Sequence, residues 1–391
     1  MSLKRKFAYA RKVLPAATWR GLQSAARRPV HLIFALADHF EPAIDPEDGY
    51  KRVPLAEQER RLEWWTREYP KAVEQWRDHD GRPFVHTYFY PAEQYNEGLI
   101  ERLAEHCHSG WGETEVHLHH GHPTADTADN LRRVLTEFRD RLAFHHRCLA
   151  AEEGETQPRY CFVHGNFALA NSREGRDCGV DSEMKILAET GCYADFTLPT
   201  GPWHAAQTAK INSLYECGLP LDQAAPHRKG SDLETGRSPK IFPLILQGPL
   251  LTDVGRSMRS WKPVLESGAV TRANPMSLAR LELWKRANIR VQGRPDWLFI
   301  KLHCHSMEPS QKDAVIGNPF RKFLEELVSG AEQRKETLHF VTAREMANIA
   351  VAACDGRDGD PGEYRDYRFK RFRDLPATTE TAGPTAVAVK G

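Results

Sequence analysis

Short runs rich in Val, Ile, Phe and Tyr alternate along this chain with segments of helical periodicity, and that alternation limits the fold more than any single motif. The runs cover 30–38, 84–90, 114–119, 159–165, 192–198, 240–247 and 296–305. Most are near-continuously apolar and bounded by Gly, Pro or polar residues, as strands buried on both faces of a parallel sheet are. Between them apolar residues recur three and four apart. In 127–143 these are Leu131, Val134, Leu135, Phe138 and Leu142, with Arg132, Arg133, Glu137 and Arg139 on the other side. Comparable patterns occupy 55–78, 93–107, 182–190, 277–288 and 319–329. Seven such cycles predict an α/β fold with a parallel sheet. A further run at 338–343, followed by an apolar helical stretch, is placed to close or flank it.

An open sheet and a barrel both satisfy this pattern. The barrel is expected, because polar residues recur at the carboxyl ends of the strands, where α/β folds carry their chemistry. Asp38 and His39 end the first run, His117 and His119 the third, and His164 and Asn166 the fourth; Asp195 lies in the fifth, and His303 and His305 end the last. Residues two apart in a strand share a face, so His117 pairs with His119 and His303 with His305. Neutral imidazole is the commonest ligand for zinc and related divalent ions, with a carboxylate often completing the set. In "EVHLHHGHP" (115–123) a strand end is followed by a turn: His117 and His119 share a face, and His120 and His122 lie beyond them.

The ends of the chain read differently. Residues 1–28 hold eight Lys/Arg and no acid, which predicts a solvated basic arm, helical in part and broken at Pro15. It lacks the apolar core of an export signal and is suited to touching an anionic membrane surface. The barrel is expected over 29–352. Residues 353–391 read as a polar linker and a disordered tail. Eight cysteines without a CxxC pair are expected to be buried thiols of a reducing compartment, the cytoplasm. A formal net charge of +1 argues against a nucleic-acid partner, and nothing indicates a defined protein partner. His106 and His108 are expected at the surface, 356–374 as a solvated face, and Lys301 pointing away from His303.

In order along the chain, "ALADH", "EVHLHHGHP", "FVHGN", "CYADF" and "WLFIKLHCHS" resemble the five motifs of the polysaccharide deacetylase (NodB-homology) superfamily. The resemblance runs from about residue 30 to 305, closest to a divergent subgroup associated with bacterial surface-polysaccharide loci. It implies a distorted seven-stranded β/α barrel and a metal-dependent hydrolase, with zinc the expected ion, that removes acetyl groups from a carbohydrate or glycan precursor. Carried over by motif, Asp38 would be the base and His39 a metal ligand. His119 falls on the first histidine of the second motif. The second histidine's position is Pro123, which cannot ligate, so His122, His120 or His117 must substitute. His164, Asn166 and Leu302 would line the substrate, His303 or His305 would be the general acid, and Asp195 would raise that acid's pKa. The departures at three motifs leave an alternative, a catalytically degenerate barrel that binds metal or glycan as a biosynthetic accessory.

Overall fold

The computed structural model describes residues 3–25, 29–48, 51–201, 204–218 and 220–375. Ten strands form one sheet: β1 (Val30–His39), β2 (His86–Pro91), β3 (Gly112–Leu118), β4 (Tyr160–His164), β5 (Cys192–Asp195), β6 (Leu214–Cys217), β7 (Gly230–Asp232), β8 (Leu244–Leu246), β9 (Trp297–Cys304) and β10 (Glu336–Phe340). Their order is β9-β1-β2-β3-β4-β5-β8-β6-β7, with β10 lying against the first half of β1. Every ladder from β9 to β8 is parallel; β6 and β7 add an antiparallel margin.

All seven expected runs enter this sheet, and so does 338–343, as β10. Two features differ from expectation. The ladder path has two ends, and among the described residues no ladder joins them into a closed seven-stranded barrel. The hairpin of β6 and β7 is also additional. β7 is a polar edge strand of Gly230, Ser231 and Asp232, largely exposed, with no apolar run to announce it.

Alternation along β1 separates two cores. Leu32, Phe34 and Leu36 pack against the helices α2 (Leu55–Val73), α3 (Glu97–His106), α4 (Ala128–Asp140), α5 (Glu183–Glu189), α6 (Leu278–Ala287) and α7 (Asn318–Ser329). Ile33, Ala35 and Ala37 face the other way, with Met346, Ile349, Ala350 and Val351 of α8 (Ala343–Cys354). α8 is buried all round, so its helical register was never a simple stripe. It starts at a capping box in which Thr342 accepts from the Glu345 amide and Glu345 from that of Thr342.

Both chain ends dock where free segments were expected. α1 (Leu3–Leu22) continues through Pro15, buries Val13 and Ala17, and presses Gly21 against the Thr252 carbonyl. The stretch 355–375 is strapped to α8: Asn348 Nδ2 donates to the Arg365 and Phe369 carbonyls, and its Oδ1 accepts from the amides of Arg368 and Phe369. Arg365 is buried against Asp78, Asp80 and Glu345, and the buried Phe369 ring stacks on Tyr193 at 4.0 Å. The expected solvated face is exposed or half-buried over most of its length, but Pro361, Arg365 and Phe369 anchor it to the fold. The expected disordered tail from 376 onward lies outside the described residues, as do residues 1–2 and 26–28 of the arm. No helix among the described residues is long and apolar enough to cross a membrane.

Candidate metal centre

Parallel pairing brings the carboxyl ends of β1, β3, β4 and β9 to one edge of the sheet. There His39, Glu41 and His117 each present a ligand atom, all three within 4.8 Å of one another. Glu41 Oε1 is 3.2 Å from His117 Nε2 and 3.8 Å from His119 Nε2. The His39 ring centre is 5.0 Å from that of His117, 4.5 Å from His305 and 6.4 Å from His303. His117 is fully buried, whereas His119 is 28 % exposed and His303 and His305 are half-buried, so the cluster opens to solvent on one side.

Hydrogen bonding fixes which imidazole nitrogens are free. His117 Nδ1 donates to the Val163 carbonyl at 2.8 Å, and His119 Nδ1 donates to Glu93 Oε1 at 2.8 Å. A carbonyl and a carboxylate can only accept, so both Nδ1 atoms hold a proton and both Nε2 atoms face Glu41; in the neutral rings those Nε2 atoms are the free lone pairs. Partners of this kind orient histidines that bind metals. The His119 ring also rests on Gly165, where a Cβ would come 2.2 Å from His119 Cδ2. No residue larger than glycine fits there.

Burial alone would raise the Glu41 carboxyl, but the charge of His119 and the His117 hydrogen bond bring it down to about 2. His39 is held well below the usual histidine range by burial and by the neighbouring His305, His117 and His303. Its neutral ring is therefore the ordinary state. An anionic carboxylate with imidazoles that can turn Nε2 to an ion, once it displaces any proton held there, is a donor set that could hold a divalent ion of the zinc class.

The residues expected from the sequence divide here. His39, His117 and His119 come together, with His303 and His305 beside them. His122 does not join: it is 42 % exposed and pairs with Asp177 at 3.4 Å. Asp38 lies on the opposite face of β1 from His39, because adjacent strand residues face opposite ways. It is fully buried on the helix-covered side, where Oδ2 accepts from His86 Nδ1 and Ser306 Oγ and Oδ1 from the Ser306 amide. Leu302 belongs to the core on that same side rather than to a substrate pocket. His164 is fully buried, close to His120 and Glu183, and cannot line a substrate. Asn166 is half-buried in a left-handed conformation, φ 54°, and its carbonyl accepts from Arg173.

Asp195 does not raise His303. Burial lifts the Asp195 carboxyl to about 7 even though Thr197 donates to both its oxygens. Lys301, two residues from His303, shares its face after all, and its Nζ donates to the Phe196 carbonyl at 2.6 Å. Burial first, then the nearby Lys301 and His305, hold His303 well below its ordinary value. Its Nδ1 is buried with no hydrogen-bond partner.

Two carboxylates of the site, Glu41 and Glu93, were not anticipated. Glu41 carried a signal, since it stands two residues beyond His39; Glu93, in the turn after β2, carried none. His106, expected at the surface, is buried with Nε2 3.0 Å from the Tyr88 hydroxyl. Compared by sequence, the chain matches no protein-family model and no curated protein.

Proposed function

We propose that this chain is a metal-dependent hydrolase that removes an acetyl group, as amide or ester, from a carbohydrate, and that its sheet is a variant of the NodB-type barrel. One observation carries the reading: at the carboxyl edge of the sheet three imidazoles and Glu41 converge, with the rings of His117 and His119 held at Nδ1 so that both Nε2 atoms meet the carboxylate. The order of the motifs along the chain supports the carbohydrate deacetylase class.

His39, Glu41, His117 and His119 would hold the ion, zinc by its donor set, and Glu93 and the Val163 carbonyl keep the rings oriented. Such an ion supplies Lewis acidity toward a carbonyl oxygen and acidifies water. His303 is the proton carrier in this scheme. Its depressed pKa makes it neutral at rest, so it accepts a proton at Nδ1 from the attacking water and returns it to the departing sugar nitrogen or oxygen. Lys301 and His305 oppose a lasting charge on His303, which favours that return. The surface-polysaccharide setting and a peripheral place at the membrane's inner face belong to the same proposal.

The withdrawal of Asp38 favours a second reading, a barrel that binds metal and glycan without hydrolysis. Acetate release from N- and O-acetylated oligosaccharides separates the two. The hydrolase reading expects release by the zinc-loaded chain, loss after chelation, and loss in His119→Ala and Glu41→Gln. Glycan binding by the loaded chain with no acetate released from either type would overturn it.

A further inference from the structure

We infer that His120, His164, Cys178 and Glu183 form a second, closed metal site for zinc, which staples the loop after β3 to the segment leading into α5. This inference does not rest on the hydrolase reading. His120 Nε2 lies 3.1 Å from His164 Nε2 and 3.0 Å from Glu183 Oε1, and His164 Nε2 lies 3.3 Å from that same oxygen. Cys178 Sγ is 3.7 Å from Glu183 Oε2 and within hydrogen-bonding reach of both imidazoles. Ligand atoms bound tetrahedrally to one zinc, at about 2.0–2.3 Å each, stand roughly 3.3–3.5 Å apart. The His120, His164 and Glu183 distances lie close to that figure, and the four ligand atoms all lie within 4.8 Å of one another.

The tautomers point the same way. His120 Nδ1 donates to Asp126 Oδ2 at 2.8 Å, and His164 Nδ1 to the Gly165 carbonyl at 2.5 Å. Both partners only accept, so in the neutral rings both Nε2 atoms are bare lone pairs. Two lone pairs and a carboxylate oxygen then face one another at 3.0–3.3 Å, which is repulsive unless a ring takes up a second proton or a cation lies among them. A metal ion answers all three at once. The outer partners, Asp126 and the Gly165 carbonyl, are of the kind that orient metal-binding histidines.

Two features make the site structural rather than catalytic. His164, Cys178 and Glu183 are fully buried and His120 is 6 % exposed on its side chain, which leaves no open position for water. The ligands are also gathered by backbone pairing between their loops, Asp126 N to Cys178 O at 2.8 Å and Asp177 N to Gly121 O at 3.0 Å. Gly121 is required for that approach: its φ is +69°, and a Cβ would fall 2.0 Å from the Cys178 carbonyl oxygen. The staple ends one residue from His119, so it also fixes the mouth of the first cluster.

The thiolate distinguishes the sites, since the first cluster contains no cysteine. The full chain is stripped with chelator and loaded with cobalt(II), and the thiolate-to-cobalt charge-transfer band is recorded in the near ultraviolet. The band is expected in the wild type and in His119→Ala, to be abolished in Cys178→Ser, and to be kept in Cys304→Ser, which alters the thiol beside Asp38 and His86. Absence of the band from the wild type would overturn the proposal even where Cys178→Ser fails to fold. Its survival in folded Cys178→Ser, or its loss in folded Cys304→Ser, would do the same.

Discussion

Replacing Asp38 tests whether this residue anchors the fold or performs chemistry. Its carboxylate accepts three hydrogen bonds, from Ser306 N at 2.9 Å, Ser306 Oγ at 2.5 Å and His86 Nδ1 at 3.0 Å. Asp38→Ala removes all three acceptors. The Ser306 hydroxyl can rotate, but the amide and the imidazole N–H stay buried without partners, at about 1–3 kcal/mol each. The sum is about 3–5 kcal/mol, a large part of the ~5–15 kcal/mol that holds a typical domain folded. Asp38→Asn is different. Its Oδ1 still accepts from the Ser306 amide, and the new NH2 meets two groups that can adapt. Ser306 Oγ can accept instead of donate, and His86 can move its proton to Nε2, which is buried without a partner. What remains is the lost charge assistance and one imidazole N–H left unpaired at Nε2, while the Ser306 amide keeps its acceptor.

The assay is urea denaturation of the two variants beside the wild type, with metal content measured on the same samples. Asp38→Ala is expected to lose about 1–3 kcal/mol more than Asp38→Asn, because only there does the Ser306 amide lose its acceptor. Asp38→Asn is expected to keep its metal. Equal losses in the two variants, or a loss below ~1 kcal/mol in Asp38→Ala, would refute the anchoring role.

Arg365→Ala leaves Asp78, Asp80 and Glu345 without their shared cation, and a loss of about 3–5 kcal/mol is expected in thermal or urea melting, with truncation after 354 unfolding the chain outright. On the acid side, burial lowers His106 to about 3 and His227 to about 4. Unfolded histidine takes up its proton first, so stability is full above about pH 6.5 and falls as pH drops toward those values, by about 1.4 kcal/mol per pH unit for each. Urea midpoints from pH 6 to 4.5 should therefore fall less steeply in His106→Gln than in the wild type, and an unchanged slope would contradict the burial of that neutral ring. Val13→Asp places an unpaired carboxylate at a fully buried position of α1, and a loss of at least ~2 kcal/mol is expected; a stability equal to wild type would show the helix to be undocked.

The sheet was legible because its signal is local. A run such as 296–305 is apolar on both faces, and only a buried parallel strand has that need. Closure was not legible, since nothing within a strand records which neighbours it takes; register and partner belong to the whole sheet. The docking of 355–375 was hidden for a related reason. Arg365 looks solvated by composition, and becomes internal only because Asp78 and Asp80 lie across from it, far away along the chain.

The site was half legible, and the dividing line is the period of a strand. Applied to His117 and His119, the rule that residues two apart share a face holds. Applied to the whole chain, the same rule separates Asp38 from His39, joins Glu41 to His39, and places Lys301 with His303. Motif order assigned adjacent residues to one active site, and the pleat turns them to opposite faces. The carboxylates beyond this rule came from elsewhere: Glu93 from the turn after β2, Glu183 from the first turn of α5, 63 positions after His120. Histidines crowd a strand end and so attract notice, whereas their acidic partners are single residues on ordinary helices and turns. "EVHLHHGHP" accordingly divides between two clusters, His117 and His119 turning to one and His120 to the other. A test on His119 alone, without one on Cys178, would therefore read only half of what that segment holds.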